Sequence, residues 1–530
     1  MNGCPSLIRG RRWIRVLLLV AIRLPWTLQL HADDVDPVGG ALTRITIADL
    51  KRHCGTLASD ALEGREAGAR GGRAAAAYLQ TELNAIPGLT AAASTGWAQE
   101  FDPNFRNMIA VLPGSDPELR HEVILIGAHY DHVGRGNQSN SLGPVGSIHN
   151  GADDNASGSA ALLELADAFA SLKPAPRRTL VFAFWDAEES GLLGSKHWVA
   201  HPTHPLKNVR LVVNTDMLGR LREGKLAVVG WRSAPGLRRR LVRHNSSGDF
   251  EYLYEPAVIA DSDHHSFFAA GIPCLQLDTR KHEDYHRPTD DADKLNYQGI
   301  RRVAELVFRV VHDAAEDPDL PGFRSAALTE APPAWMSQRS QPQHPTRLGV
   351  SFDPVHFDQE RAVVAEVSRK SAAEKAGIRP GDRLLKVAHW DLGSMADLRT
   401  IVQTARNPVT VQLERSGHLT PLELQLELTG QPVRVGIAWQ SDDAIPEGVV
   451  ITLVVPESPA DRAGLKVGDI VTDLSNAVVG SEDEFRSKLL RDPGPIQMRI
   501  ERHGRIRDVA VKLYDPSHPD ANGRIRRTVE

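Results

Sequence analysis

Four short runs in this chain are almost wholly apolar and rich in β-branched and aromatic residues: EVILIGAHYD at 122–131, TLVFAFWDA at 179–187, RLVVNTDML at 210–218 and PCLQLD at 273–278. Such runs lack the alternation of a strand with one wet face, so they belong at the centre of a sheet covered on both sides. Amphipathic stretches lie between and after them. Residues 157–172 carry Leu162, Leu165, Ala166 and Phe169 at helical spacing, and residues 297–314 give a second helix. The pattern predicts an α/β domain over residues 45–314 with a mainly parallel sheet flanked by helices.

At 530 residues the chain has room for further domains, and the rest of the sequence supplies them. Residues 315–346 hold Pro318, Pro321, Pro332, Pro333, Pro342 and Pro345 with few periodic apolar positions, and read as an extended linker. Beyond it the chain repeats itself with an offset of 87 residues. Ser371, Ala376, Gly377, Gly381 and Asp382 return as Ser458, Ala463, Gly464, Gly468 and Asp469, and Gly349 returns as Gly436. A constant offset over a whole unit means two copies of one small domain of short strands, at 347–428 and 434–514.

With 62 basic and 67 acidic residues the chain carries a net charge of −5, which gives no footprint for nucleic acid. Residues 1–32 combine Arg9, Arg11, Arg12 and Arg15 with an apolar run and read as a signal peptide cut near Ala32. The expected location is therefore periplasmic or extracellular, with no membrane span in the mature chain. Only Cys54 and Cys274 would remain of three cysteines, too few for a disulfide framework.

Several apolar runs end on a residue that can bind a metal. His129 closes the first, Glu188 and Glu189 follow the second, and Asp216 follows the third. In an open α/β sheet the crevice beyond the carboxyl ends of the strands is where ligands bind, so these side chains converge on one edge. Asp154, in HNGADDNASG, and His286, in YHRPTDD, complete a set of two imidazoles and three carboxylates. That set suits a pair of zinc-like ions, and Glu188 is left free to handle protons. Asp131 lies two residues after His129, placed to accept the second ring N–H of a metal-bound histidine. Asp153 is a rival to Asp154, while His132, His149 and His282 are more naturally supporting or solvent-facing groups.

These motifs, in this order, resemble the co-catalytic di-zinc aminopeptidases, of the bacterial leucyl aminopeptidase and aminopeptidase Y type. The resemblance implies two zinc ions, one held by His129 and Asp216 and the other by Glu189 and His286. It implies Asp154 as the shared ligand, followed by a cis peptide bond, and Glu188 as general base in the removal of N-terminal residues from peptides. It also places Asp263, His264 and Tyr285 in the substrate pocket. Rival readings are a carboxypeptidase or amidohydrolase of a related di-zinc family, a glutaminyl cyclase-like transferase, and an inactive binding protein. Lid-bearing relatives need an inserted domain where Asp154 and Glu188 stand only 34 residues apart. The two repeats resemble PDZ domains of the kind found in bacterial high-temperature-requirement proteases. That resemblance implies that peptide or protein C-termini are held at Leu348, Gly349 and Val350 and at Val435, Gly436 and Ile437.

Overall fold

The computed structural model describes residues 36–513 apart from 93–95, 103, 338–346, 353–361, 389, 393–397, 399–400, 404, 431–432, 456–457 and 493. The expected signal at 1–32 lies outside the described residues. Among them, no helix is long and apolar enough to cross a membrane.

Nine strands form the first sheet: β1 Thr90–Ala91, β2 Ala98–Phe101, β3 Phe105–Leu112, β4 Val123–His129, β5 Thr179–Trp185, β6 Val209–Thr215, β7 Lys225–Val229, β8 Glu251–Tyr254 and β9 Cys274–Asp278. Their order is β1-β3-β5-β4-β6-β9-β7-β8, with β2 also on β3. The four apolar runs are the central strands β5, β4, β6 and β9, all mutually parallel. Around this parallel centre the sheet is mixed. β3 pairs antiparallel to β5, β1 and β2 pair antiparallel to β3, and β7 pairs antiparallel to β9. The β2–β3 hairpin needs no helical crossover, which is why it leaves no helix-length spacing in the sequence.

The all-apolar strands are explained by two covered faces. Along β5, Leu180, Phe182 and Phe184 join one core and Val181, Ala183 and Trp185 the other. The first core is roofed by helices Ile47–Leu57, Gly158–Ser171 and Tyr297–Glu316, where Phe169 stacks on Phe308 at 4.1 Å. The second is roofed by helices Leu193–Ala200 and His264–Ala269, where Trp185, Trp198 and Phe267 meet. Cys54 and Cys274 are buried and unpaired.

The two repeats fold as six-stranded sheets, each with its own core. The residues that keep the 87-residue offset do the same work in both. Gly349 and Gly436 have φ of 78° and 87°, and a Cβ on either would lie 2.2 Å from the Cβ of Ser371 or Ser458. Those serines cap the helices Ala372–Ala376 and Pro459–Arg462. Asp382 and Asp469 are buried and held by both ends of a guanidinium, Arg415 at 2.7–2.8 Å and Arg502 at 2.6 Å. Arg415 and Arg502 are themselves 87 apart.

The second repeat is seated on the α/β domain. Ala444, Ile445, Val450 and Ile470 join the first domain's core. The most buried ion pairs across the seam are Arg238 Nε to Glu501 Oε2 at 2.6 Å and Arg232 Nη1 to Asp442 Oδ2 at 2.8 Å. Backbone bonds from Tyr252 N to His503 O and from Gly236 N to Ala444 O run beside them. Arg238 and Glu501 are each about 95% covered, so the Glu501→Gln substitution leaves a buried guanidinium without its counter-charge. It should lower the unfolding free energy by about 2 kcal/mol, read by urea denaturation. The proline-rich stretch read as an extended linker packs on this assembly where it is described. Leu320 and Trp335 are buried, and Glu330 is clasped by Arg232 and Arg324. Its apolar anchors are too few to show a period, so composition alone hid them.

Candidate metal centre

The parallel register of β4, β5 and β6 brings their carboxyl ends level, with His129 opposite Trp185 and Gly127 opposite Asn214. His129, Glu189 and Asp216 therefore surround one point, and Asp154 reaches it from the irregular turn Ala152–Ser157 at the mouth of helix Gly158–Ser171. The Asp154–Asn155 peptide bond is cis. Asp154 faces two ways: Oδ1 lies 3.3 Å from His129 Nε2, and Oδ2 lies 3.1 Å from His286 Nε2. On the first side His129 Nε2 is also 3.3 Å from Asp216 Oδ1, and on the second His286 Nε2 is 3.3 Å from Glu189 Oε2. The donor atoms form two overlapping clusters, His129–Asp154–Asp216 and His132–Asp154–Glu189–His286, each within 4.8 Å. All five residues expected as ligands meet here, with Asp154 between His129 and Asp216 on one side and Glu189 and His286 on the other. His132 is an addition, with Nδ1 2.8 Å from Glu189 Oε1.

Both imidazoles are oriented by main-chain carbonyls. His286 Nδ1 faces Asn140 O at 2.8 Å and His129 Nδ1 faces Asp131 O at 3.2 Å, which leaves each Nε2 turned inward. The Asp131 carboxylate was expected to accept from His129. At 3.7 Å it is too far, and it instead accepts the backbone N–H groups of Glu188 and Glu189 at 3.1 and 3.3 Å. Ala187, Met217 and His286 all have φ between 52° and 56°, a left-handed conformation unfavourable for residues with a Cβ and concentrated here beside the clustered donors.

Asp153 is turned away. Its carboxylate accepts Ser157 Oγ and Gly219 N and faces His282 Nε2 at 3.2 Å. His149 lies off the centre, spanning its loop from Ser141 Oγ to Ser147 O. Two supports carry no signal in the sequence. Asp290 is fully buried, and its Oδ2 accepts the N–H groups of Asp153 and Asp154 at 2.8 and 3.1 Å. Arg65 is also fully buried, and its guanidinium donates to the carbonyls of Tyr130, Leu57, Asn150 and Gly151 at 2.6–2.8 Å. Burial pulls Arg65 down to about 10, which still leaves it protonated at neutral pH.

The clusters open into a cleft of about 520 Å³. Glu188 lines it yet belongs to neither donor cluster. Burial, reinforced by the Glu189, Asp263 and Asp216 carboxylates, raises its pKa well above the ordinary range despite His129. Glu189 goes the other way: burial and Asp154 oppose its ionisation, but bonds from His132 and His286 hold it at about 2. Tyr285 lines the cleft, stacked on His286 at 3.9 Å, with the Lys281 ammonium 4.2 Å above its ring. Asp263 and His264 do not line it. Both are fully buried at the start of helix His264–Ala269, and Asp261 and Ile259 take the expected place on the wall.

A doubly covered α/β sheet with a two-lobed histidine–carboxylate cluster at its strand ends, followed by two repeated β units, defines the class. Residues 107–311 match peptidase family M28, and residues 363–415 and 433–513 match PDZ domains. The chain is thus built of an M28 peptidase domain and two PDZ domains. It is 29% identical over 239 residues to leupeptin-inactivating enzyme 1 of Streptomyces exfoliatus, covering 43% of this chain and 48% of that one. To aminopeptidase YwaD of Bacillus subtilis it is 27% identical over 226 residues, covering 38% and 44%. To periplasmic serine endoprotease DegP of Salmonella typhimurium it is 30% identical over 154 residues, covering 27% and 32%. The chain spans about half or less of the length of these relatives.

Proposed function

We propose that this chain is an exported zinc metallopeptidase that removes N-terminal residues from peptides. In this reading His129 and Asp216 hold one zinc ion, Glu189 and His286 hold a second, and Asp154 is shared. The two-sided carboxylate of Asp154 carries the proposal, because each oxygen faces a different inward-turned imidazole. The donor set fits zinc, being imidazole and carboxylate with buried supports behind it. Bound zinc supplies Lewis-acid polarisation of the scissile carbonyl and lowers the pKa of the attacking water.

Glu188 takes the proton of that water and returns it to the leaving amine. Asp131 fixes the chain at Glu188 and Glu189 so that one carboxylate serves the water and the next the metal. Tyr285, packed on His286, forms part of the wall against which the substrate lies. The resemblance to an aminopeptidase of Bacillus subtilis favours the N-terminal end as the point of attack. The 34 residues from Asp154 to Glu188 are taken up by helix Gly158–Ser171 and β5, which leaves no room for the lid domain of the carboxypeptidase-type rivals.

Metal analysis tests the count. The purified chain should carry two zinc ions, lose all peptidase activity to a chelator, and regain it fully only when the second equivalent of zinc is restored. Full recovery at one equivalent would contradict the shared role of Asp154 and favour the single-zinc, cyclase-like reading.

A further inference from the structure

The second PDZ domain is oriented on the peptidase domain, and its direction has a chemical meaning. Just before its strand Ile437–Asp442 the carbonyls of Val435 and Gly436 point inward, accepting from Ala460 N at 3.0 Å and Val455 N at 2.8 Å. Because trans peptide units are planar, the N–H groups of Gly436 and Ile437 point the opposite way, side by side at the open edge. Two adjacent outward N–H groups form a small anion-binding concavity suited to a carboxylate. Among the described residues the strand pairs on one side only, with Ile445–Val454, and helix Glu482–Arg491 meets it through Phe485. Between them Trp439 meets Phe485 edge-on at 5.0 Å, and the Trp439 indole N–H is buried with no hydrogen-bond partner.

A peptide whose terminal carboxylate sits at Gly436 and Ile437 must run antiparallel to this strand, so its upstream residues leave at Asp442. Asp442 is the residue that pairs with Arg232 of the peptidase domain. Arg232 stands three positions after Val229, which lines the catalytic cleft, a reach of at most about 11 Å. The neighbouring Trp231 Nε1 donates to the carbonyl of Glu255, another residue of the cleft wall, at 2.8 Å. The strand therefore ends against the peptidase domain beside the cleft wall, and the upstream end of a bound peptide is directed to that side.

We propose that the second PDZ domain holds the free C-terminus of the substrate itself and delivers that peptide's N-terminus to the metal centre. This rests on the exopeptidase reading and adds the substrate class: peptides free at both ends and long enough to span groove, seam and cleft. Six groove residues, the seam and the cleft together need on the order of a dozen extended residues.

The test is a series of peptides of 3 to 18 residues sharing one N-terminal sequence, each as free acid and as C-terminal amide. First-residue release is followed with the full chain, and binding is followed by anisotropy of the labelled peptides. The expected acid-to-amide ratio of kcat/KM is near one for the shortest peptides and rises to about tenfold at about a dozen residues, through KM. Ile437→Asp, which puts a negative charge beside the carboxylate site, should return that ratio to one. A ratio of one at every length overturns the proposal. So does a ratio above one already at three residues, because the carboxylate would then be read inside the cleft. Tight binding of free acids with no effect on turnover also overturns it, since the groove would serve a partner. No release from any peptide in either form takes down the exopeptidase reading, and this proposal with it.

Discussion

Glu188→Gln should lower turnover by about two to four orders of magnitude while leaving zinc content at the level of the unsubstituted chain. The substitution keeps size and shape and removes only the ability to accept a proton. Glu188 lines the cleft but stands outside both donor clusters, so no ligand is lost. Its backbone N–H remains bound to Asp131, so Glu189 keeps its place. The loss corresponds to about 3–5 kcal/mol of transition-state stabilisation, and it should appear in kcat with little change in KM. Metal analysis alongside the rate separates this outcome from ligand loss: a fall in zinc content would make Glu188 a ligand, and an unchanged rate would remove it from the mechanism.

The second large effect is structural. Arg65→Met should lower the unfolding free energy by about 3–5 kcal/mol. Methionine fills much of the volume but donates nothing, so the carbonyls of Leu57, Tyr130, Asn150 and Gly151 lose their shared donor in a site without solvent access. The Leu57 carbonyl ends helix Ile47–Leu57, whereas Tyr130 lies in the loop after β4 and Asn150 and Gly151 in the loop before Asp154, so the change also loosens the spacing between His129 and Asp154. Zinc affinity should fall together with stability. Arg65→Lys should recover part of the loss, because an ammonium offers three donors without the planar fork. Urea unfolding of both variants checks this, and a Met variant within 1 kcal/mol of the parent would show that the carbonyls find other partners.

The features legible in the sequence have a period or a terminus. Central strands showed themselves because burial on both faces forces an unbroken apolar run, as in β4 and β5. Among the candidate ligands His129, Glu189 and Asp216 are legible because strand ends lead to them, and the PDZ pair because Ser371, Ala376, Gly377, Gly381, Asp382 and Gly349 all return at one offset. What escaped is contact between distant segments. Arg238 and Glu501 are 263 residues apart, so nothing local announces their pairing or the docking it secures. Arg65 and Asp290 act through main-chain groups, which any sequence provides. H-x-D-H offers two imidazoles, and only the fold shows that His132, read from the sequence as a supporting or solvent-facing group, turns to Glu189 while His129 turns to Asp216. The Asp131 carboxylate was matched to the wrong donor, since an extended H-x-D geometry does not foresee the turn that presents its carbonyl instead.

The proposed activity is metal-dependent cleavage at a free N-terminus. Its most direct test compares aminoacyl-anilides and peptides with their N-acetylated forms, using the purified chain from residue 33 onward, with and without chelator. Release should come from the free amines only, abolished by the chelator and restored by zinc. Equal cleavage of the N-acetylated forms, or activity indifferent to the chelator, would contradict it.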